Sequence, residues 1–223
     1  MSAILVFNQS DKISLLTDAA HYTVTGDLVA AAPKCYALPH LNCAIAWRGG
    51  AYGSIVAPIL EAIAPLESFD QIERSLPELL KSVAAVAEAQ GNEPEPFEIH
   101  IAGYSRGAGR SYLMNNHRHQ PGIDPYTVTP TGPVMVSPGD AELNAEIASR
   151  WPNRSIDDLD PETMGLEIME LQRGQKYEAN FHGLLPKICI VGGFAQMTTV
   201  WPDHIETRIL RRWPDKRGAP IAA

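Results

Sequence analysis

The order in which apolar periodicity changes along this chain limits its fold more than any other feature. Residues 2 to 50 carry strand patterning: Ser2-Ala-Ile-Leu-Val-Phe7, polar turn residues from Asn8 to Lys12, Ile13-Ser-Leu-Leu-Thr-Asp18, and, after Pro33-Lys34, Asn42-Cys-Ala-Ile-Ala-Trp-Arg-Gly-Gly50. Residues 51 to 91 switch to helical spacing, with Ile55, Ile59, Leu60 and Ile63 on one face. A second helix is expected to open at Ser75, where Glu78 completes a capping box. Leu76, Leu79, Leu80, Val83 and Val86 form its stripe and Gly91 closes it. Strands return at Phe97 to Gly103, Arg110 to Met114 and Val134 to Val136. Two more helices are expected, one opening at Ser137, Pro138 and Asp140 with proline at the first helical position. The other opens at Asp160-Pro161 and runs to about Tyr177. Leu184 to Val191, Met197 to Val200 and Ile205 to Leu210 read as closing strands around a Gly192-Gly193 turn.

Strands, two helices, strands, two helices, strands is not the βαβ alternation of a doubly wound sheet. Two antiparallel sheets packed face to face, with a helical layer outside each, accommodate it. The expectation is therefore an α+β chain, a four-layer αββα sandwich forming one domain over residues 1–223. An irregular, Pro/Gly/His-rich insertion is expected at about 115–133, and a basic C-terminal tail from about 208, with Arg208, Arg211, Arg212, Lys216 and Arg217.

Composition narrows the function classes. Apolar residues make up 45% and charged residues 20% of the chain, ordinary for a domain with its own core. A net charge of −8 argues against a nucleic-acid surface. No stretch approaches the ~18 apolar residues of a membrane span, and no signal peptide is evident. Cys35, Cys43 and Cys189 sit in apolar runs and read as buried thiols of a reducing, cytoplasmic compartment rather than a disulfide frame or metal site. No cofactor is expected.

The chemistry is expected at Ser2, Asp18 and Lys34. Removal of Met1, which a small second residue permits, leaves Ser2 with a hydroxyl beside a free α-amine. That amine titrates at about 7.7–8 and can accept the hydroxyl proton at cellular pH. Lys34 would depress nearby pKa values and stabilise an oxyanion, and Asp18 would hold Lys34 in place. Asp18 follows Ser2 by 16 positions and Lys34 follows it by 32. In this strand context the spacing resembles the first fifty residues of proteasome β-type subunits and their bacterial HslV-like relatives, the N-terminal nucleophile (Ntn) hydrolases.

The resemblance implies the αββα sandwich and attack by Ser2 on the amide bond of a peptide or small amide substrate. It also implies an oxyanion-hole N–H from Gly49 or Gly50, between which the sequence does not choose. Ser137, beside Gly139, matches the family's serine after the central hairpin and equally suits a helix N-cap. Relatives assemble, so a homo-oligomer is expected, with no nucleic-acid or membrane partner. The sequence departs from the pattern in using serine where the family has threonine. It also lacks the late Asp/Ser pair: residues 178–183 stand in its place, with Asn180 or His182 as substitutes.

Two other readings stand beside the hydrolase. The first is a non-catalytic Ntn-fold component of a larger, prophage-type assembly, suggested by the missing late pair. The second is an α/β-hydrolase with Ser105 in Gly103-Tyr-Ser-Arg-Gly107, a G-x-S-x-G nucleophile elbow, partnered by Asp160 with His182 or His204. Gly107 and Gly109 favour a hairpin over the helix an elbow needs. His117 and His119 lack a third metal ligand nearby, and no P-loop lysine follows Gly192-Gly193.

Overall fold

The computed structural model describes residues 2–49, 56–89, 96–117, 124–178 and 187–222. The first strands are β1 (Ile4–Asn8), β2 (Ile13–Asp18), β3 (Ala20–Tyr22), β4 (Leu28–Ala31), β5 (Cys35–Leu38) and β6 (Cys43–Gly49). Helices α1 (Ala57–Ile63) and α2 (Phe69–Ala89) follow, then β7 (Phe97–Ser105), β8 (Ala108–Asn115), β9 (Thr129–Pro130) and β10 (Val134–Ser137). Helices α3 (Ala141–Arg150) and α4 (Pro161–Gly174) precede β11 (Tyr177–Glu178), β12 (Lys187–Ile188), β13 (Phe194–Val200) and β14 (Ile205–Arg212). The expected block order is present among the described residues, as an α+β arrangement of antiparallel sheets and four helices. Ile55, Gly91 and residues 118–123 of the expected insertion lie outside the described residues.

One five-stranded sheet has the order β10-β1-β2-β13-β14 and the other β5-β6-β7-β8-β9. Short ribbons β3-β4 and β11-β12 flank them, and every pairing among the described residues is antiparallel. Strand alternation sorts the side chains into three large apolar clusters, beside a small fourth one of Ala20, Leu28, Cys189 and Ile221. Ile45, Trp47, Ile99 and Ile101 pack with Ile59, Phe69, Leu76 and Leu80 of α1 and α2. Leu5, Phe7, Leu16 and Met197 pack with Met164, Ile168 and Met169 of α4. Ile4, Val6, Ile13 and Leu15 of one sheet meet Ala44, Ala46 and Ala102 of the other. Both faces of β2 are covered, and all six of its residues are buried. Among the described residues no helix is long and apolar enough to cross a membrane.

Several boundaries differ from expectation for local reasons. Helix α2 starts at Phe69, so Ser75 and Leu76 both lie inside it and Ser75 is not its N-cap. The Ser68 hydroxyl accepts from the Gln71 backbone N–H, and the Gln71 side chain accepts from the Glu67 N–H, so the capping pair is Ser68/Gln71. Ser75 turns its hydroxyl back to the Gln71 carbonyl, and Pro77 is carried within the helix. Helix α3 starts at Ala141 under Asp140, whose carboxylate accepts from the Leu143 N–H, not at Pro138. Asp160 caps α4 with Pro161 at the first helical position, as expected.

The segment after Ser105 turns at Arg106 (φ 54°) and Gly107 (φ 78°) straight into β8. This is a two-residue hairpin with both central residues left-handed, so the G-x-S-x-G segment makes no strand-to-helix elbow and the α/β-hydrolase reading fails. The expected strand at 184–191 reduces, within the described residues, to Lys187–Ile188 paired with β11; residues 184–186 lie outside them. Arg208, Arg211 and Arg212 lie in β14, where Arg208 pairs with Glu162 and Arg211 with Glu170 of α4.

Candidate functional site

Strand register brings the N-terminal trio together. Ser2 shortly precedes β1, Asp18 ends the neighbouring β2, and Lys34 leads into β5 of the other sheet. Lys34 Nζ donates to Ser2 Oγ at 2.7 Å, to Asp18 Oδ1 at 2.9 Å and to the Ala20 carbonyl at 2.6 Å. An ammonium has three donors, and here each has an acceptor. Asp18 is held equally firmly. Its Oδ1 also accepts from the Ala3 N–H at 3.0 Å, and its Oδ2 accepts from the N–H groups of Ala20 at 3.0 Å and Gly192 at 3.2 Å. Asp18 is 0% and Lys34 3% exposed, a burial tolerable because the two charges neutralise each other and their hydrogen-bonding capacity is filled.

Burial pushes the Lys34 ammonium below the usual lysine range, and the neighbouring Arg48 charge adds to this; Asp18 opposes it by Coulombic attraction and a hydrogen bond. The arrangement presents a serine hydroxyl to a fixed cationic donor. Such a donor can hold the oxygen in place and stabilise negative charge developing on or near it.

Gly49 ends β6 opposite Phe97 with φ 105°. A Cβ there would run into the Pro96 carbonyl oxygen and lie 2.7 Å from Phe97 Cα, so the position requires glycine. Gly50 lies outside the described residues, as do Asn180, His182 and His119. Ser137 ends β10, and its hydroxyl donates to Glu98 Oε2 at 2.8 Å and accepts from Arg48 Nη1. It does not cap α3; Asp140 does. Ser105 instead donates to Asp70 Oδ2 at 2.8 Å, Asp160 is occupied at the α4 cap, and the exposed His204 stacks on Trp201 at the β13–β14 turn.

The partners of Ser137 form a buried cluster that sequence reading passes over. Arg48 Nη1 contacts Glu98 Oε2 at 3.1 Å, and His100 Nε2 lies 3.4 Å from the same oxygen. Burial alone would push the Glu98 carboxyl up, but the Arg48 charge and hydrogen bonds from His100 and Ser137 hold it well below the usual carboxylate range. Burial lowers the His100 imidazole, against the attraction of Glu98. Two Arg48 nitrogens, Nε and Nη2, have no hydrogen-bond partner among the described residues. The available signal was the polar alternation Glu98-x-His100 within an apolar strand. Polar residues at that spacing ordinarily mark a solvated face, whereas here that face meets the second sheet.

Among the described residues no three His, Cys, Asp or Glu side chains converge as metal ligands. The three cysteines are free and buried, and burial pushes the thiols of Cys35 and Cys43 up to about 12.

This fold is proteasome-like. The chain is similar in structure to an Anbu mutant from Hyphomicrobium sp. strain MC1, with TM-score 0.66, 10% identity, and coverage of 100% of this chain and 89% of that one. It is also similar to Anbu, an ancestral β-subunit, from Yersinia bercovieri, with TM-score 0.63, 11% identity, and coverage of 92% and 86%. A third similar structure is the helical assembly of the Anbu complex from Pseudomonas aeruginosa, with TM-score 0.63, 12% identity, and coverage of 96% and 88%. No family model and no curated protein matches the chain. The assignment to the proteasome β-subunit/HslV-like hydrolases is therefore corrected: the likenesses are to Anbu proteins, and at this identity they carry the fold alone.

Proposed function

We propose that this chain is a proteasome-like Ntn-fold subunit of a larger homo-oligomeric assembly. The observation that carries the reading is the likeness, over 96% of the chain, to a protein whose solved form is a helical assembly. The finer architecture belongs to the same proposal: one domain, a four-layer αββα sandwich, with α1 and α2 outside one sheet and α3 and α4 outside the other. The three large apolar clusters support it. Native mass spectrometry of the purified protein tests the assembly. A discrete multimer is expected, and a single chain at every micromolar concentration sampled overturns the reading.

A second reading, of chemistry within that subunit, is favoured by the three hydrogen bonds of Lys34 Nζ. With Met1 removed, Ser2 Oγ attacks an amide carbonyl while its proton passes to its own α-amine. Lys34 holds the hydroxyl oxygen, Asp18 holds Lys34, and a Gly49 or Gly50 N–H faces the oxyanion. The ammonium returns the proton to the leaving amine, and water hydrolyses the ester to free Ser2. Intact mass before and after a β-lactone that acylates N-terminal nucleophiles tests this. One adduct mapped to Ser2 is expected in the wild type and none in Lys34→Met. A retained Met1 without adduct leaves the non-catalytic assembly component as the function.

A further inference from the structure

The Gly192-Gly193 turn joins two buried carboxylates, Asp18 and Asp215, that lie 197 residues apart in sequence. On one side the Gly192 N–H donates to Asp18 Oδ2 at 3.2 Å, and the Gly192 carbonyl accepts from the Ala19 N–H at 3.1 Å. On the other side the Gly193 N–H donates to Asp215 Oδ2 at 2.7 Å, and the Gly193 carbonyl accepts from the Trp213 N–H at 3.0 Å. Arg173, from α4, closes the arrangement. Its Nη1 donates to the Val191 carbonyl at 2.8 Å and to Asp215 Oδ2 at 3.0 Å, and its Nη2 donates to Asp215 Oδ1 at 2.5 Å. The guanidinium also lies over the Trp213 ring, 5.2 Å from its centroid.

The packing leaves the turn little freedom. A Cβ at Gly192 would meet Asp215 Oδ2 at 2.6 Å, and one at Gly193, where φ is 74°, would meet Ala31 Cβ at 2.9 Å. The side chains of Arg173 and Asp215 are 7% and 1% exposed, so the ion pair is shielded from water, and its two-point geometry fixes direction as well as distance.

We propose that Asp215 and Arg173 are positioning residues for the Ser2 site, acting through the Gly192-Gly193 turn; this rests on reading Ser2 as the nucleophile. The pair fixes the turn, and the turn aims the Gly192 N–H at Asp18 Oδ2. Asp18 Oδ1 anchors Lys34, and Lys34 Nζ holds Ser2 Oγ. The segment around Asp215 thereby sets the geometry at Ser2. Neither Asp215 nor Arg173 touches a reacting atom, and their effect falls on the rate of reaction at Ser2 rather than on occupancy of the site.

The test is acylation of the full-length protein by a β-lactone, followed by intact mass over a range of lactone concentrations. The variants are Asp215→Asn, which keeps an acceptor for the Gly193 N–H, and the double change Arg173→Met/Asp215→Ala, which leaves no lone buried charge. Arg208→Ala, at an exposed pair on β14, is the control. In both test variants the maximal acylation rate is expected to fall about tenfold, as small displacements of a reacting group do. The half-saturating lactone concentration should stay at the wild-type value, while the melting temperature of the double variant falls modestly, because the Gly193 N–H and the Val191 carbonyl lose their side-chain partners. A double variant that reacts at the wild-type rate overturns the positioning role alone. So does one whose rate and half-saturation worsen together, since that pattern marks a merely structural pair. A wild-type protein that takes no adduct overturns the nucleophile reading and this inference with it.

Discussion

At the scale of single residues, the trio was legible because its chemistry is tied to spacing. Ser2, Asp18 and Lys34 sit at strand ends, where register converts sequence separation into proximity, and Lys34 Nζ reaches both of the others. Arg48, Glu98 and His100 were not legible, because alternation in a strand does not reveal whether the polar face meets water or a second sheet. Two predictions belong here. The rate of Ser2 acylation is expected to be bell-shaped in pH. It should rise as the α-amine deprotonates near about 7.7–8 and fall as Lys34 loses its proton, below the 10.5 of an ordinary lysine because burial favours the neutral amine. A rate that climbs without limit to about pH 11 would remove Lys34 from the mechanism. Glu98→Gln leaves Arg48 buried without its counter-charge and is expected to cost about 3 kcal/mol of stability at neutral pH. The Glu98 carboxyl is held below its ordinary 4.5, so its contribution is present above that pH and is lost as pH falls through the folded value. Denaturant melts should therefore show the gap between variant and wild type narrowing below pH 4.5, and a gap constant with pH would contradict the assignment.

At the scale of elements, helices and strands were found where the apolar period was strong, and boundaries slipped where two local signals competed. Ser75 and Glu78 have the spacing of a capping box, but Ser68 and Gln71 have it too and stand at the chain's actual entry into α2. The apolar stripe reaching back to Phe69 and Ile72 decides between them, since both pack in the same cluster as Leu76 and Leu80. Ser68→Ala is expected to cost about 1 kcal/mol in a thermal or denaturant melt, and Ser75→Ala a few tenths at most. Equal costs would restore the later start. Helix α4 packs closely on β2 at Gly165, where an added Cβ would run into Leu16 Cδ2. Gly165→Ala should therefore destabilise by about 1–3 kcal/mol despite the better helix propensity of alanine. A stabilised variant would show that the two elements separate readily.

At the scale of the whole molecule, the block order of strands and helices sufficed to exclude a doubly wound sheet, and the hairpin at Arg106-Gly107 excludes the nucleophile elbow at Ser105. What the sequence could not supply was the tertiary link from Asp215 through the Gly192-Gly193 turn to Asp18. It depends on long-range contacts with no periodic signature, formed between segments that read as a solvated tail and a simple turn. Assembly is a property of surfaces, and the sequence does not reveal which residues lie there. The eight-residue edge strand β14 and the exposed apolar side chains Val24, Val29, Val86 and Ile209 mark surface that self-association would cover. Whether this fold works as a subunit among copies of itself is decided by native mass spectrometry of the full-length protein across micromolar concentrations. A discrete multimer that persists on dilution is expected. A mass corresponding to one chain throughout would contradict the subunit reading.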